Sequence, residues 1–245
     1  MEFTGNIESL DDFREIVRGI TPDSRYFFRG EPRDFYDLIP KIGRIQKFSR
    51  FTLEYYDEKS IFGRFKNQAV AFLSQSPKNE WEWLALAQHH GLPTRFLDWS
   101  TNPLVALFFS VGYPLSQSEL RKAVIDNENY DGSAAFYFLT IKTDFIDPNE
   151  ITKPFEHQLV GLFSPPHVSQ RIRAQGGVFT IQPDPWQPLN ALLRPGAVLK
   201  YRIPYEARET IRTELRLFGV HHASIFPDLD GLSAYLQQIL SEHNS

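Results

Sequence analysis

Apolar and polar positions change their rhythm about halfway along the chain. Leu10, Phe13, Ile16 and Val17 recur at helical spacing behind Ser9, with Asp11 and Asp12 in the first turn and Gly19 at the end. That is the pattern of a capped amphipathic helix. Arg25 to Gly30 (RYFFRG) is dense in aromatics and predicts a short strand running into a proline-containing loop. Phe51 to Ser74 lacks proline and carries apolar residues at 53, 56, 61, 65, 70, 72 and 73, predicting one long helix or two shorter ones. Glu80 to His90 predicts a helix stopped by Gly91 and Pro93, and Asn102 to Val111 another with Pro103 in its first turn.

Beyond about residue 128 the texture favours strands. Ala134 to Ile141, Gly177 to Ile181 and Val198 to Ile203 are rich in β-branched and aromatic residues. Pro183 to Pro195 reads as loop, Ala207 to Phe218 and Gly231 to Glu242 as helices, and His222 to Phe226 as a strand between them. The expectation is an α+β protein: a single domain over 1–245, helix-rich over about 1–128 and strand-rich over about 129–245. Its mixed sheet joins the early strand bearing Arg29 to the later ones.

Composition narrows the chemistry. The chain has 245 residues, 35 of them aromatic, one Met and no Cys. The missing thiols exclude disulfides, cysteine nucleophiles and thiolate metal sites. A net charge of −4 argues against nucleic-acid binding by a general basic surface. No apolar run approaches the roughly 20 residues of a membrane span, and residues 1–17 are acidic and amphipathic, so a cytoplasmic protein with no membrane partner is expected.

The densest polar segment runs from Gln88 to Pro103 (QHHGLPTRFLDWSTNP), between helices rich in Trp, Leu and Phe. Read as a loop, it must pair whatever polar groups it buries. Arg95 and Asp98 are natural partners, and Ser100 or Thr101 a natural helix cap. Arg29 ends an aromatic strand before Gly30, which would let a ligand or a backbone approach closely. Arg29, His89 and Arg95 are candidates for an anion site taking a phosphate. His89-His90 and His221-His222 are adjacent pairs, which point apart on a regular element, so no metal site is expected. Asp228 reads as the cap of the last helix, and Glu54, Asp57 and Glu58 as a solvated helix face. No phosphate loop, dinucleotide glycine motif or serine-hydrolase elbow is present.

Phe28-Arg29-Gly30, Gln88-His89, Gly91-Leu92-Pro93-Thr94-Arg95 and Leu97-Asp98-Trp99-Ser100 resemble the FRG domain, named for its Phe-Arg-Gly. The likeness continues in Ser169-Gln170-Arg171-Ile172, in Gln175 to Thr180 and in Phe226 to Leu232, so it spans nearly the whole chain. It implies a protein of bacteria or their phages.

A second likeness is to NAD-using ADP-ribosyltransferases. Arg29 closing an early strand and Ser100-Thr101 leading into an Ala-x-x-Phe helix resemble the first two signatures of that family. In that family the arginine holds ribose or phosphate and the serine segment braces the nicotinamide pocket. Gln175 occupies the place of the third signature, a catalytic Glu, and is the candidate catalytic position. The polar cluster between apolar helices, together with this resemblance, leads to the expectation of an NAD or nucleotide cleft formed by Arg29, Gly30, His89, Thr94, Arg95, Asp98, Ser100 and Thr101. ADP-ribosyl transfer or cleavage of the nicotinamide glycosidic bond would be its chemistry, with the acceptor open. The contrasting expectation is a non-enzymatic recognition or effector module, as in phage defence, whose polar motifs are internal scaffold.

Overall fold

A computed structural model of the chain describes residues 1–20, 25–45, 57–166 and 170–242. The first elements are β1 (Gly5–Asn6), α1 (Leu10–Arg18), β2 (Tyr26–Glu31), α2 (Lys41–Arg44), α3 (Glu58–Ala69) and α4 (Glu80–His89). Next come β3 (Phe96–Ser100), α5 (Pro103–Val111), α6 (Gln117–Asp126), β4 (Ala134–Thr140), β5 (Gly161–Phe163) and α7 (Gln170–Ala174). The chain ends with β6 (Gly177–Ile181), α8 (Leu189–Leu192), β7 (Val198–Ile203), α9 (Ala207–Leu217), α10 (His222–Ile225) and α11 (Leu229–Glu242).

The fold is α+β, built on one mixed seven-stranded sheet in the order β1-β7-β4-β2-β3-β6-β5. Only β1 and β7 run parallel; the other neighbours are antiparallel. The sheet is unevenly stitched. β2 pairs with β4 from Tyr26↔Thr140 to Glu31↔Ala135, and β3 with β6 from Phe96↔Ile181 to Ser100↔Gly177. Between β2 and β3 a single pair, Phe28↔Ser100, is made. Two half-sheets therefore meet at one residue and part beyond it.

Each half-sheet carries its own helices. Phe28, Phe136 and Phe138 pack under α1, α5 and α9 through Phe13, Leu107 and Ile211. Phe96, Phe179 and Ile181 pack under α3 and α4 through Phe62, Trp81 and Leu84. A third cluster, including Phe27, Leu97, Trp99 and Tyr137, takes the alternate residues of the same strands. The aromatics contact one another edge-on or stacked, as Phe28 on Phe138 and Phe96 on Phe179.

Helix α5 lies almost on the backbone of β2. A Cβ on Gly30 would fall 1.9 Å from the Ala106 carbonyl oxygen and 2.6 Å from Ser110 Oγ. The freedom of Gly30 thus admits a helix backbone at its Cβ position.

The early helices follow the sequence pattern. Ser9 caps α1, its Oγ accepting from the Asp12 N–H, and Asp57 caps α3 in the same way through Ser60. Residues 46–56, with Glu54 and the start of the expected long helix, lie outside the described residues.

Several expectations are corrected. The segment read as loop from Gln88 to Pro103 contains β3: Phe96 to Ser100 alternates faces, and its whole length pairs with β6. The first half thus supplies β1, β2 and β3, and the Arg29 strand is not its only one. His222 to Phe226 does not form a strand. Ser224 donates to the His221 carbonyl and accepts from the His221 N–H, closing the helical turn α10. The Pro183–Pro195 loop encloses α8.

No helix among the described residues is long and apolar enough to cross a membrane.

Burial lowers the pKa of His89, His157, His221 and His222 below the ordinary 6.5. An unfolded chain takes up protons near 6.5 that the fold refuses, so the contribution of these groups is complete above that value. It is lost as pH falls through the depressed values. Thermal unfolding midpoints should therefore fall between about pH 7 and about pH 5.5, before carboxylates titrate. A flat profile over that window would count against the burial of these rings.

Candidate functional site

A cleft of about 680 Å³ opens where β2 parts from β3, on the face between α5 and α4. β2 gives it Arg29, Gly30 and Glu31; β3 gives Asp98 and Ser100; α4 gives Gln88 and His89; α7 gives Arg171. Phe28, Trp99, Phe109, Tyr113 and Phe179 supply apolar walls.

Arg29 bridges the parting. Its Nη1 donates to the Asp98 main-chain oxygen at 2.6 Å, taking an acceptor that a continuous ladder would have used. Nε donates to Glu31 Oε1 at 3.0 Å, and Nη2 donates to the same oxygen. Arg44 Nη2 reaches that oxygen at 3.2 Å, so one carboxylate lies between two guanidiniums. Burial opposes both charges of the Arg29–Glu31 pair, but the pairing wins. Glu31 and then Asp98 hold Arg29 above its usual pKa, and Arg29 and Arg44 hold Glu31 below the usual carboxylate value. A guanidinium has five donors, so Arg29 keeps N–H groups for a ligand.

Asp98 Oδ2 accepts from Gln88 Nε2 at 2.8 Å and lies 3.8 Å from Arg29 Nη1. Gln88 is set in turn by Thr94, whose Oγ1 donates to Gln88 Oε1 at 2.7 Å and accepts from the Phe96 N–H. The His89 pKa is depressed by burial and then by His90 and Arg171, with Asp228 opposing. The His89 and His90 rings meet edge-on at 5.0 Å, not apart as the bare adjacency suggested. Arg171 lies 4.4 Å from the centre of the Phe226 ring, and Lys41 Nζ donates to the Gly91 carbonyl at 2.8 Å. The lining cations Arg29, Lys41 and Arg171 outnumber the carboxylates Glu31 and Asp98. Among the described residues no group of three His, Asp or Glu could hold a metal ion.

Of the residues singled out in the sequence, Arg29, Gly30, His89, Asp98, Ser100 and Gln175 line the cleft. Thr94, Arg95 and Thr101 do not. Arg95 is not Asp98's partner: residues three apart near a strand face opposite ways, and Arg95 instead donates from Nε and Nη2 to a single Glu58 oxygen, Oε2, at 3.0 and 2.7 Å. Glu58 is accordingly half-buried, not part of a solvated face.

Ser100 and Thr101 do not cap α5; Asn102 does, its side chain accepting from the Leu104 N–H, because Pro103 already occupies the first turn. Ser100 Oγ donates to the Gln175 carbonyl at 2.6 Å, and the Thr101 N–H to the Gly176 carbonyl at 2.9 Å. Both residues lock β3 to the α7–β6 turn. Gln175 lines the cleft, and its Nε2 donates to the Ile225 carbonyl at 3.3 Å. Asp228 caps α11 as read, its Oδ1 accepting from the Gly231 N–H. Ser169 lies outside the described residues.

Sequence reasoning missed Glu31, Lys41 and Tyr113. Glu31 was readable in principle, since it stands two residues after Arg29 on the same face of a strand that runs past Gly30.

Residues 24–119 match the family model of the FRG domain, and the chain carries that domain. The matched span covers the β2, α4, β3 and α5 walls of the cleft, while Arg171 and Gln175 come from beyond it. No curated protein and no solved structure matches the chain.

Proposed function

We propose that the cleft binds a phosphate-bearing nucleotide, with NAD the favoured ligand. Its chemistry on this reading is cleavage of the nicotinamide–ribose bond, with ADP-ribose passed to water or to an acceptor. The carrying observation is Arg29, fixed at the parting of the half-sheets by Glu31 and the Asp98 carbonyl, with N–H groups left over. Arg171 and Lys41 add positive charge, and the aromatic walls suit a flat ring. The volume lies within the roughly 300–1,000 Å³ of small-molecule sites. The strands bearing Arg29 and Ser100, and the strand that Gln175 precedes, are consecutive neighbours in the sheet.

On this reading Arg29 grips a phosphate or ribose, Ser100 braces the turn that presents Gln175, and Gln175 positions the ligand. Calorimetry with NAD and ADP-ribose should show binding at millimolar ligand or tighter. Arg29→Lys keeps the charge but loses the planar fork, and should weaken binding about tenfold or more. Absence of binding by the wild-type chain sinks the reading; unchanged binding by Arg29→Lys removes Arg29 from it.

A second reading, a non-enzymatic recognition or effector module such as one used in phage defence, is favoured by one observation. Thr94, Arg95 and Ser100 all spend their polar groups inside the fold.

A further inference from the structure

Breaking a bond between a sugar's C1′ and a ring nitrogen builds positive charge on the ribose, and the water that adds there must lose a proton. Both needs are met by a carboxylate with an uncommitted oxygen inside the cleft. Gln175 carries no charge, and its amide nitrogen is turned to the Ile225 carbonyl. Among the described residues, two carboxylates line the cleft, Glu31 and Asp98. Glu31 is only 7% exposed, and its charge is cancelled by Arg29 and Arg44.

Asp98 shares Arg29 as a neighbour, at 3.8 Å, but it is far more exposed and has no second guanidinium among its described ion pairs. It is the one exposed residue of β3, its side chain 58% accessible at the cleft wall. Its position is nonetheless built. The main-chain oxygen is held by Arg29, Oδ2 by Gln88, and Gln88 by Thr94 behind it. No described hydrogen bond reaches Oδ1. A strand residue held at two atoms, with its other carboxylate oxygen free of described hydrogen bonds on a side chain that lines the cavity, is placed as a reacting group is placed.

Resting on the nucleotide reading above, we propose that Asp98 is the catalytic carboxylate of this cleft. Asp98 faces the C1′ side of the ribose and stabilises the charge that develops there. It accepts the proton of the incoming water as the new C1′–O bond forms. The C1′–N bond breaks, and its electron pair leaves with nicotinamide. Asp98 then returns the proton to solvent, so NAD and water give ADP-ribose, nicotinamide and one proton.

The test uses the full chain, with nicotinamide release followed by chromatography and ADP-ribose binding by calorimetry, for wild type and Asp98→Asn. Asn keeps the shape and can still accept from Gln88; Asp98→Ser serves as the second variant should Asn not fold. The expected result is release by wild type, a loss of about a hundredfold or more in the variant, and ADP-ribose affinity within about threefold of wild type. Release by the variant at the wild-type rate overturns the role of Asp98. So does binding lost in step with release, which would make Asp98 a ligand contact. Wild type that binds NAD but releases no nicotinamide overturns this inference and leaves the binding reading standing, whereas wild type that binds nothing removes both.

Discussion

Gly30→Ala should be among the most damaging single-atom additions this chain can receive. The added methyl would lie 1.9 Å from the Ala106 carbonyl oxygen and 2.5 Å from the Ser110 nitrogen, and neither is the end of a flexible side chain. Relief requires α5 to lift off β2, which uncouples Leu107 and Phe108 from Phe28 and Phe136. Overpacking of this severity costs about 3 kcal/mol or more. In a chain of this size that lowers the thermal midpoint by roughly 6–12 °C. Gly63→Ala is the matched control. It lies within α3, a Cβ there meets nothing within 4 Å, and alanine should stabilise by about 0.5–1 kcal/mol. Thermal scans on the two variants check the argument, and equal midpoints would refute it.

Glu58→Ala should cost about 3–5 kcal/mol. The Glu58 and Arg95 side chains are 12% and 10% exposed. Glu58 accepts two side-chain bonds from Arg95 and one from the Arg95 N–H at 3.0 Å. Removing the carboxylate strands a guanidinium against the Phe155 ring with no counter-charge and leaves a backbone donor open. Denaturant midpoints at unchanged slope measure the loss. The double variant Glu58→Leu with Arg95→Met should be milder than Glu58→Ala alone, because it removes both charges together. A single-variant loss below about 1 kcal/mol would show that the pair is more hydrated than its geometry implies.

These two positions also show how far the sequence reached. Helix α1 was legible because Ser9, the acidic first turn, the apolar spacing and Gly19 all agree locally. Gly30 was legible as a close-approach position, but its neighbour was not, since Ala106 is brought there by packing rather than by spacing. The Arg95–Glu58 pair spans 37 residues and joins the residue before β3 to α3, so the nearer Asp98 drew the assignment. β3 was hidden for a similar reason. Its alternation is only five residues long and is flanked by Thr, Ser, Asn and Pro, whose turn chemistry masks a two-residue period. In the cleft, the Arg29 and Gln88–Ser100 walls were readable as a polar island between apolar helices. Gln175 was singled out by resemblance, whereas Arg171 joins the cleft wall only through α7, which precedes the β6 strand beside β3.

Where β2 parts from β3, each half-sheet keeps a separate apolar cluster on the face that bears α4 and α5. The gap between them is governed by one backbone pair and one guanidinium. Behind that narrow join the shared cluster of Phe27, Trp99 and Tyr137 runs across both halves, so the seam opens on one face of a sheet that is sealed on the other.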